Sequence, residues 1–486
     1  MGVVFRGGAR RVNVLVYVMD ALRADFVSCY GHEAETTPAI DAFAEEAVRF
    51  ENAYSTATWT KPSAASILTG RQPLAVNAMG LLDKLPSLPD TLPRQLGDAG
   101  VSTTAVSANT FVAEEFGFTG FDSFTHLQKD PTTQQRRRTA ESRGSEGEVT
   151  DELGIDRKVI PLSEDLNDVL FDHYESVASD EDDFTLAWSI DTHGPYFVRG
   201  EESHFGNDPA AVIRESEVTT DNLDRVRSIY RDMIRYNDRQ FGALLEKLRK
   251  EGLYDETLVV LCADHGESFG DHTKFFDWPI IGHSGVVYEE VVNVPLLVKF
   301  PTTDAVDGGA DGGESGPHTF AGESVERLVQ LTDIYPTVTD LFGVERPDTL
   351  QGESLVPLGS DRPDREIFVE SRPTAENVYS GALRRGDEKF LTIRKDWQWR
   401  RDPRRMVESL LWKFAVPSTL LFDLGTDPGE TTDLSDEQPE TVAQLRSSFE
   451  ETRERLETLS GAVTESGLED AAEDTERHLE ALGYLE

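Results

Sequence analysis

VNVLVYVMD, residues 12–20, is the stretch that decides the fold. The run from Val12 to Met19 is almost wholly apolar and rich in β-branched residues, shows no alternation, and stops at a carboxylate, Asp20. Such runs are strands buried on both faces. Similar ones recur at 101–107, 184–190 (FTLAWSI), 256–262 and 293–300. Helical periodicity lies between them, over roughly 39–48, 61–69 and 90–99, and longest over 221–250. In that last segment Leu223, Val226, Ile229, Met233, Ile234, Phe241 and Leu244 share one face. Strands alternating with helices predict an α/β fold, a mostly parallel sheet held between helices.

The character changes after a helix near 332–343. Short strand patterns at 366–370, 378–384, 389–394 and 418–423, parted by turn residues, predict a smaller C-terminal antiparallel α+β domain. Val442, Leu445, Phe449, Leu456 and Leu459 then repeat at helical spacing, so a terminal helix should pack back on the body. The expected organisation is a catalytic α/β domain over 1–345, an antiparallel subdomain over 360–435 and a helical tail over 437–486. Residues 128–158 lack apolar periodicity and contain Arg136 to Arg138, which suits a mobile insertion or a substrate-facing lid. The Gly- and Asp-rich 302–322 reads as a surface loop.

Charge narrows the function. The 486 residues carry 47 basic and 90 acidic side chains, a net charge of -43. Such a chain repels phosphate backbones and anionic lipid, so no nucleic-acid partner is expected. No apolar run approaches the ~18 residues of a membrane span, and the first one meets Asp20, Arg23 and Asp25 with no small-residue cleavage site. No membrane insertion is expected, and the chain reads as cytoplasmic. Cys29 and Cys262 cannot build a disulfide framework. Regular apolar patterning between the acids argues against disorder. The acidity instead suits a halophile, where molar salt screens charge within ~3 Å.

In an open α/β sheet ligands bind beyond the carboxyl ends of the strands. Asp20 follows the first strand, Asp191 and His193 follow 184–190, and Asp264 and His265 follow 256–262. Three strands thus deliver carboxylates or imidazoles to one edge, a donor set suited to a divalent metal such as Mn²⁺ or Zn²⁺ more than Ca²⁺. A fourth element is TWTKPSAASILTG, residues 58–70. Pro62 fits the first turn of a helix and Gly70 its end, which puts Thr60 and Lys61 at or just before the cap. Thr60 there is either a simple cap or a nucleophile activated by a metal and Lys61.

Seven segments in order carry a resemblance: VYVMDALRADFVSCYG, TKPSAASILTGR, DTHGPY, ADHGESFGDH, GHSGVVYEEVVNVPLLV, LTDIYPTVTDLFGV and LFDLGTDPGETTDLSDE. The chain resembles the sulfatase branch of the alkaline phosphatase superfamily almost end to end. The resemblance implies that fold, and one divalent metal ion (Mn, Zn, Ca or Mg) held by Asp20, Asp264, His265 and Thr60, with Thr60 as nucleophile. It implies that His193 protonates the leaving group or binds the anion, and that His283 contacts the anion oxygens with Lys61 nearby. Arg23 either reaches the anion or pairs with Asp25 or a nearby acid.

The departures matter as much. Thr60 stands where the family has the formylglycine precursor, so no formylglycine is expected, and Ala64 replaces that motif's arginine. Met19 stands for a second aspartate and His265 for asparagine. SANTF, residues 107–111, replaces a Lys and His pair and leaves Asn109 as the polar substitute. A threonine with an Asp-His pair is similar to relatives that cleave phosphodiesters and phosphonates. The expected activity is hydrolysis of small-molecule or glycan esters of sulfate, phosphate or phosphonate. The alternatives are a phosphoryl-alcohol transferase acting on a glycan or lipid, and a catalytically silent relative. Several residues get plainer readings: Glu267 as a turn cap, Asp191 and Asp271 as partners of neighbouring histidines, Trp59 as pocket wall or core.

Overall fold

The apolar runs become the centre of a sheet. The computed structural model describes residues 11–81, 83–133, 160–177, 181–200, 202–272, 280–283, 285–302, 321–358, 365–372, 378–395 and 419–461. Eight strands form the main sheet: β1 (Asn13–Met19), β2 (Val48–Phe50), β3 (Ser102–Ser107), β4 (Ser123–His126), β5 (Asp183–Ser189), β6 (Thr257–Ala263), β7 (Leu296–Lys299) and β8 (Ser324–Val325). Their order is β8-β2-β7-β6-β1-β5-β3-β4. β1 runs parallel to β5 and β6 in matched register, Met19 facing Ser189 on one side and Ala263 on the other. The residues that follow these three strands therefore leave the sheet side by side. Only β7 runs against its neighbours. β1, β5 and β6 are buried throughout, as unbroken apolar runs require.

Helices cover the sheet: α1 (Pro38–Ala44), α2 (Thr60–Thr69), α3 (Leu92–Asp98), α4 (Ser163–Ser176), α5 (Leu223–Lys250), α6 (Glu289–Val292) and α7 (Ile334–Phe342). The expected mostly parallel sheet between helices is the fold observed. Some bounds move for physical reasons. The expected helix over 39–48 stops at Ala44, and Val48 belongs to β2, where Val48 and Arg49 pair with Val298 and Leu297 across the sheet. The strand expected at 293–300 begins only at Leu296, after Pro295, which has no N–H to donate. α4 and β4 fall where no element was expected.

Beyond α7 a second sheet, β9 (Glu366–Ser371), β10 (Val378–Arg385), β11 (Glu388–Lys395) and β12 (Thr419–Asp423), is antiparallel throughout. Helix α8 (Pro439–Ser460) lies on it through Val442, Leu445, Phe449 and Leu456. Phe449 stacks on Phe368 at 4.9 Å, and a Cβ at position 381 would come within 2.4 Å of the Phe449 ring, so β10 carries Gly381 there. Leu459 drops out of the expected stripe, being 46% exposed. Buried Lys389 ties this sheet to α6 through Glu289 at 2.7 Å and Glu430 at 2.8 Å. Residues 134–158 of the expected insertion, 303–320 of the expected loop and 462–486 of the expected tail lie outside the described residues.

Candidate metal centre and active site

Asp20 directly follows β1 and is fully buried. The next residue, Ala21, takes φ 56°, a conformation that a non-glycine residue adopts at a cost and that is often found at functional sites. Its amide donates to Asp264 Oδ1 at 3.1 Å, and its carbonyl accepts from the Tyr230 hydroxyl at 2.6 Å. The turn after β1 is thereby tied to the turn after β6 and to α5. Asp20 Oδ2 accepts from Asn109 Nδ2 at 2.6 Å, Trp188 Nε1 at 2.9 Å and Thr60 Oγ1 at 3.3 Å. Asn109 Nδ2 also lies 3.3 Å from Thr60 Oγ1.

The other carboxylate oxygen, Asp20 Oδ1, is buried with no hydrogen-bond partner, and so are Asp264 Oδ2 and His265 Nε2. His265 Nε2 stands 3.7 Å from Asp20 Oδ1 and 3.4 Å from Asp264 Oδ2. His265 Nδ1 meets the Gly266 carbonyl at 2.8 Å, and a carbonyl only accepts, so Nδ1 carries the hydrogen and Nε2 presents its lone pair to the two carboxylates. Buried polar atoms are rarely left unmatched. Three such atoms within 4.8 Å of one another, two carboxylate oxygens and one imidazole nitrogen, fit a divalent cation. Charge agrees. Burial, then the Asp20 charge, push the Asp264 carboxyl well above the ordinary range. Burial, then His283, hold His265 well below its own. A cation among them would favour the ionised carboxylate and the neutral imidazole.

Gly266 follows because Glu290 closes in behind it: a Cβ there would stand 2.0 Å from the Glu290 carbonyl. Thr60 opens α2, one residue earlier than the expected helix, with Trp59 at the N-cap and Gly70 closing the helix at φ 62°. All ten residues of α2 are buried. The Thr60 hydroxyl thus combines a metal-suited cluster with the positive end of a helix.

His193, in the turn after β5, and His283 complete a group of three imidazoles, with His193–His283 ring centroids 4.9 Å apart and His265–His283 4.4 Å apart. Burial pulls the His193 pKa down, yet Asp20, Glu215 and Glu267 outweigh it and leave it raised. Burial, then His193, push His283 down to about 3. Glu267 does not act as a turn cap. Its Oε1 lies 3.3 Å from His283 Nδ1, and burial pushes its carboxyl up to about 7. Glu215 stands 4.0 Å from His193 Nδ1. Its part carried no sequence signal, and Trp188, inside the apolar run of β5, reads from the sequence as core alone.

Lys61 is turned away from the expected site, and of the two readings of Arg23 the pairing with acids is the one observed. Lys61 Nζ donates to the carbonyls of Leu81 at 2.9 Å and Asp83 at 2.6 Å, and also to that of Gly80, so it anchors those three residues. Arg23 is taken up by Asp25 at 2.7 Å and Asp271 at 2.8 Å, beside a cavity of ≈ 490 Å³ also lined by His272, Glu290 and Arg384. Asp271 therefore serves Arg23 rather than a histidine. Asp191 accepts from the Ser163 amide at 2.9 Å and so holds the start of α4. Trp59 is core, packed edge-on against Phe111.

The family model described as Sulfatase matches residues 12–344. An arylsulfatase of Clostridium perfringens is 23% identical over 89% of this chain and 92% of its own length. Among solved structures, the phosphonate monoester hydrolase of Silicibacter pomeroyi superposes with a TM-score of 0.66 at 21% identity, covering 92% of this chain and 96% of that one. A 2-O GAG sulfatase superposes at 0.65 with 17% identity over 94% and 95%. At these identities the structural likenesses speak for the fold.

Proposed function

The chain belongs to the sulfatase family, and from that premise we propose a metal-dependent hydrolase of phosphate diesters or phosphonate monoesters, with sulfate esters as the related substrates, working through Thr60. The observation that carries the reading is the 3.3 Å contact of Thr60 Oγ1 with Asp20, beside three unmatched ligand atoms. Threonine at this position, in place of a formylglycine precursor, favours phosphorus over sulfur.

Asp20, Asp264 and His265 would hold the metal, with Thr60 beside them. A divalent ion there supplies Lewis-acid polarisation of the reacting centre and a lowered pKa at the Thr60 hydroxyl. Asn109 fixes the Thr60 oxygen. Thr60 gives its proton along the hydrogen bond to Asp20 Oδ2 and bonds to phosphorus or sulfur as the bond to the leaving oxygen breaks. His193 gives that oxygen a proton. Water then attacks the Thr60 ester and loses a proton to His193, and Thr60 takes its own back from Asp20 as the acid departs. His283 faces the anion beside His193. Lys61, bound to carbonyls, positions the loop and is given no proton to move.

The small antiparallel sheet of β9 to β12 forms one wall of the substrate pocket in this reading. The enzyme works in a cytoplasm at molar salt, on a small-molecule or glycan ester. A panel of aryl phosphodiester, aryl phosphonate monoester and aryl sulfate in molar KCl, with Mn²⁺, Zn²⁺, Mg²⁺ or Ca²⁺ in turn, tests it. Turnover should be fastest on a phosphorus ester and vanish on chelation. Faster turnover of the sulfate would overturn the phosphorus preference, and turnover indifferent to chelation would overturn the mechanism.

A further inference from the structure

DTHGPYFVR, residues 191–199, leaves β5 at the active-site edge and ends on an arginine that turns back onto its own segment. Arg199 is 2% exposed, with its guanidinium 3.7 Å from the centre of the Phe197 ring. A guanidinium keeps its charge and only donates, so taking it out of water is costly unless its hydrogens meet acceptors. Here Nε donates to the Asp191 carbonyl at 3.0 Å and Nη2 to the His193 carbonyl at 2.9 Å. Both acceptors lie two residues apart in the turn after β5, and neither belongs to a strand or a helix.

We propose that Arg199 is a positioning residue for His193: its planar fork bridges the two carbonyls and sets the turn from which the imidazole reaches the leaving oxygen. The claim rests on the reading of His193 as proton donor to that oxygen. His193 is held at three points. Its amide donates to the Ile190 carbonyl at 3.1 Å, its carbonyl accepts from Arg199, and its Nδ1 meets the Gly194 carbonyl at 2.8 Å. A carbonyl only accepts, so Nδ1 carries a hydrogen and Nε2 is the nitrogen that hands a proton to the leaving group. The ring therefore points where the backbone of 191–194 aims it. Neighbouring ties locate the rest of the turn: the Asp191 carboxylate holds the Ser163 amide of α4, and the Thr192 hydroxyl donates to the Asp20 carbonyl.

The chain on either side of Arg199 is anchored. Tyr196 and Phe197 pair antiparallel with Ile213 and Val212, and the same ladder leads on to Glu215, 4.0 Å from His193 Nδ1. Gly200 follows Arg199 at φ 77°, and a Cβ there would meet the Tyr236 ring of α5 at 3.1 Å. The backbone is thus seated against α5 at the point where the guanidinium starts back toward the turn. Lysine at 199 would keep the charge but replace the fork by a point, and a point does not match two carbonyls in one plane. A catalytic group misplaced by about 1 Å loses about 10²-fold in rate. For His193 that loss falls on the step that needs its proton.

The test varies the leaving group. Two esters of the acid turned over fastest are compared with metal-saturated enzyme in molar KCl, one releasing dinitrophenol, which departs without a proton, and one releasing phenol, which takes one. Arg199→Ala should lower kcat on the phenyl ester about 10²-fold with KM unchanged, and leave the dinitrophenyl ester near the wild-type rate. Arg199→Lys should fall between. His193→Ala should show the same dependence on the leaving group, and the double variant should be no slower than His193→Ala alone. Melting temperatures in the same buffer report folding, and Arg199→Lys carries the comparison where Arg199→Ala does not fold. Equal losses on the two esters, or an unchanged phenyl-ester rate, while His193→Ala still discriminates, would overturn the positioning role. Failure of both Arg199 variants to fold would make the residue part of the fold alone and overturn it as well. If His193→Ala treats the two esters alike, the donor reading itself falls, and the role of Arg199 with it.

Discussion

A threonine hydroxyl is a poor nucleophile at neutral pH, so Thr60 matters only through what surrounds it. It lies within 3.3 Å of both Asp20 Oδ2 and Asn109 Nδ2. Thr60→Ala should cut kcat by at least about 10³-fold in metal-saturated enzyme, because only electrostatic catalysis would remain. Thr60→Ser should keep a measurable part of the rate. Asn109→Ala removes the donor that fixes both Thr60 and Asp20, and a loss of about 10²-fold in kcat is expected. Equal turnover of wild type and Asn109→Ala would remove Asn109 from the site. Sequence alone foretold the juxtaposition of Asp20, Asp264 and His265, because each ends a buried strand and parallel neighbours end together. It did not foretell the direction of Lys61, whereas the pairing of Arg23 with an acid was one of its two readings of that residue. A long cationic side chain points to whatever its tertiary partners offer, here the Gly80, Leu81 and Asp83 carbonyls for Lys61 and Asp271 for Arg23. Glu215 and Glu267 escaped for the converse reason: each sits in a segment without periodicity, and only the fold sets it beside a histidine.

At the scale of elements, length separates what could be read from what could not. β1, β5 and β6 have seven residues each, enough for an apolar run to stand out. β2 and β8 have three and two, and they exist because Arg49 finds Leu297 and Ser324 across long stretches of chain. Helix packing supplies two predictions. Phe449 fills the contact between α8 and the small sheet at 2% exposure, so Phe449→Ala should cost about 3–5 kcal/mol, read as a lowered melting temperature. Asp238 of α5 caps α1 from outside, accepting from the amides of Ile40 at 2.8 Å and Ala39 at 3.1 Å. Burial pushes its carboxyl up to about 7. The folded chain therefore holds a proton there that the unfolded chain has lost. Stability from this group is full below the ordinary carboxyl range and is lost as pH rises through about 7. Over that window the slope should differ between wild type and Asp238→Asn by up to about 1.4 kcal/mol per pH unit. Identical pH profiles for the two proteins would show that Asp238 takes up no proton on folding.

For the whole molecule, charge dominates. With 47 basic and 90 acidic side chains, pairing every cation still leaves 43 carboxylates unmatched. α8 alone carries Glu440, Glu450, Glu451, Glu454 and Glu457 along an otherwise solvent-facing surface. At 0.1 M salt charges act over about 10 Å and at 1 M over about 3 Å, so neighbouring surface acids repel in dilute buffer and ignore one another at molar salt. Salt also weakens exposed ion pairs, but those are worth about 0–1 kcal/mol each, and the excess of acids outnumbers what they can offset. The melting temperature should therefore climb steadily with KCl, with cooperative unfolding lost in dilute buffer. Salts can also stabilise by exclusion from the protein surface, as sulfate does more strongly than chloride. The comparison that separates the causes is KCl against potassium sulfate. Screening predicts one curve when melting temperature is plotted against ionic strength, whereas exclusion predicts a steeper sulfate curve. A melting temperature that stays flat or falls with KCl would mean that the unmatched carboxylates are held apart well enough by the fold itself.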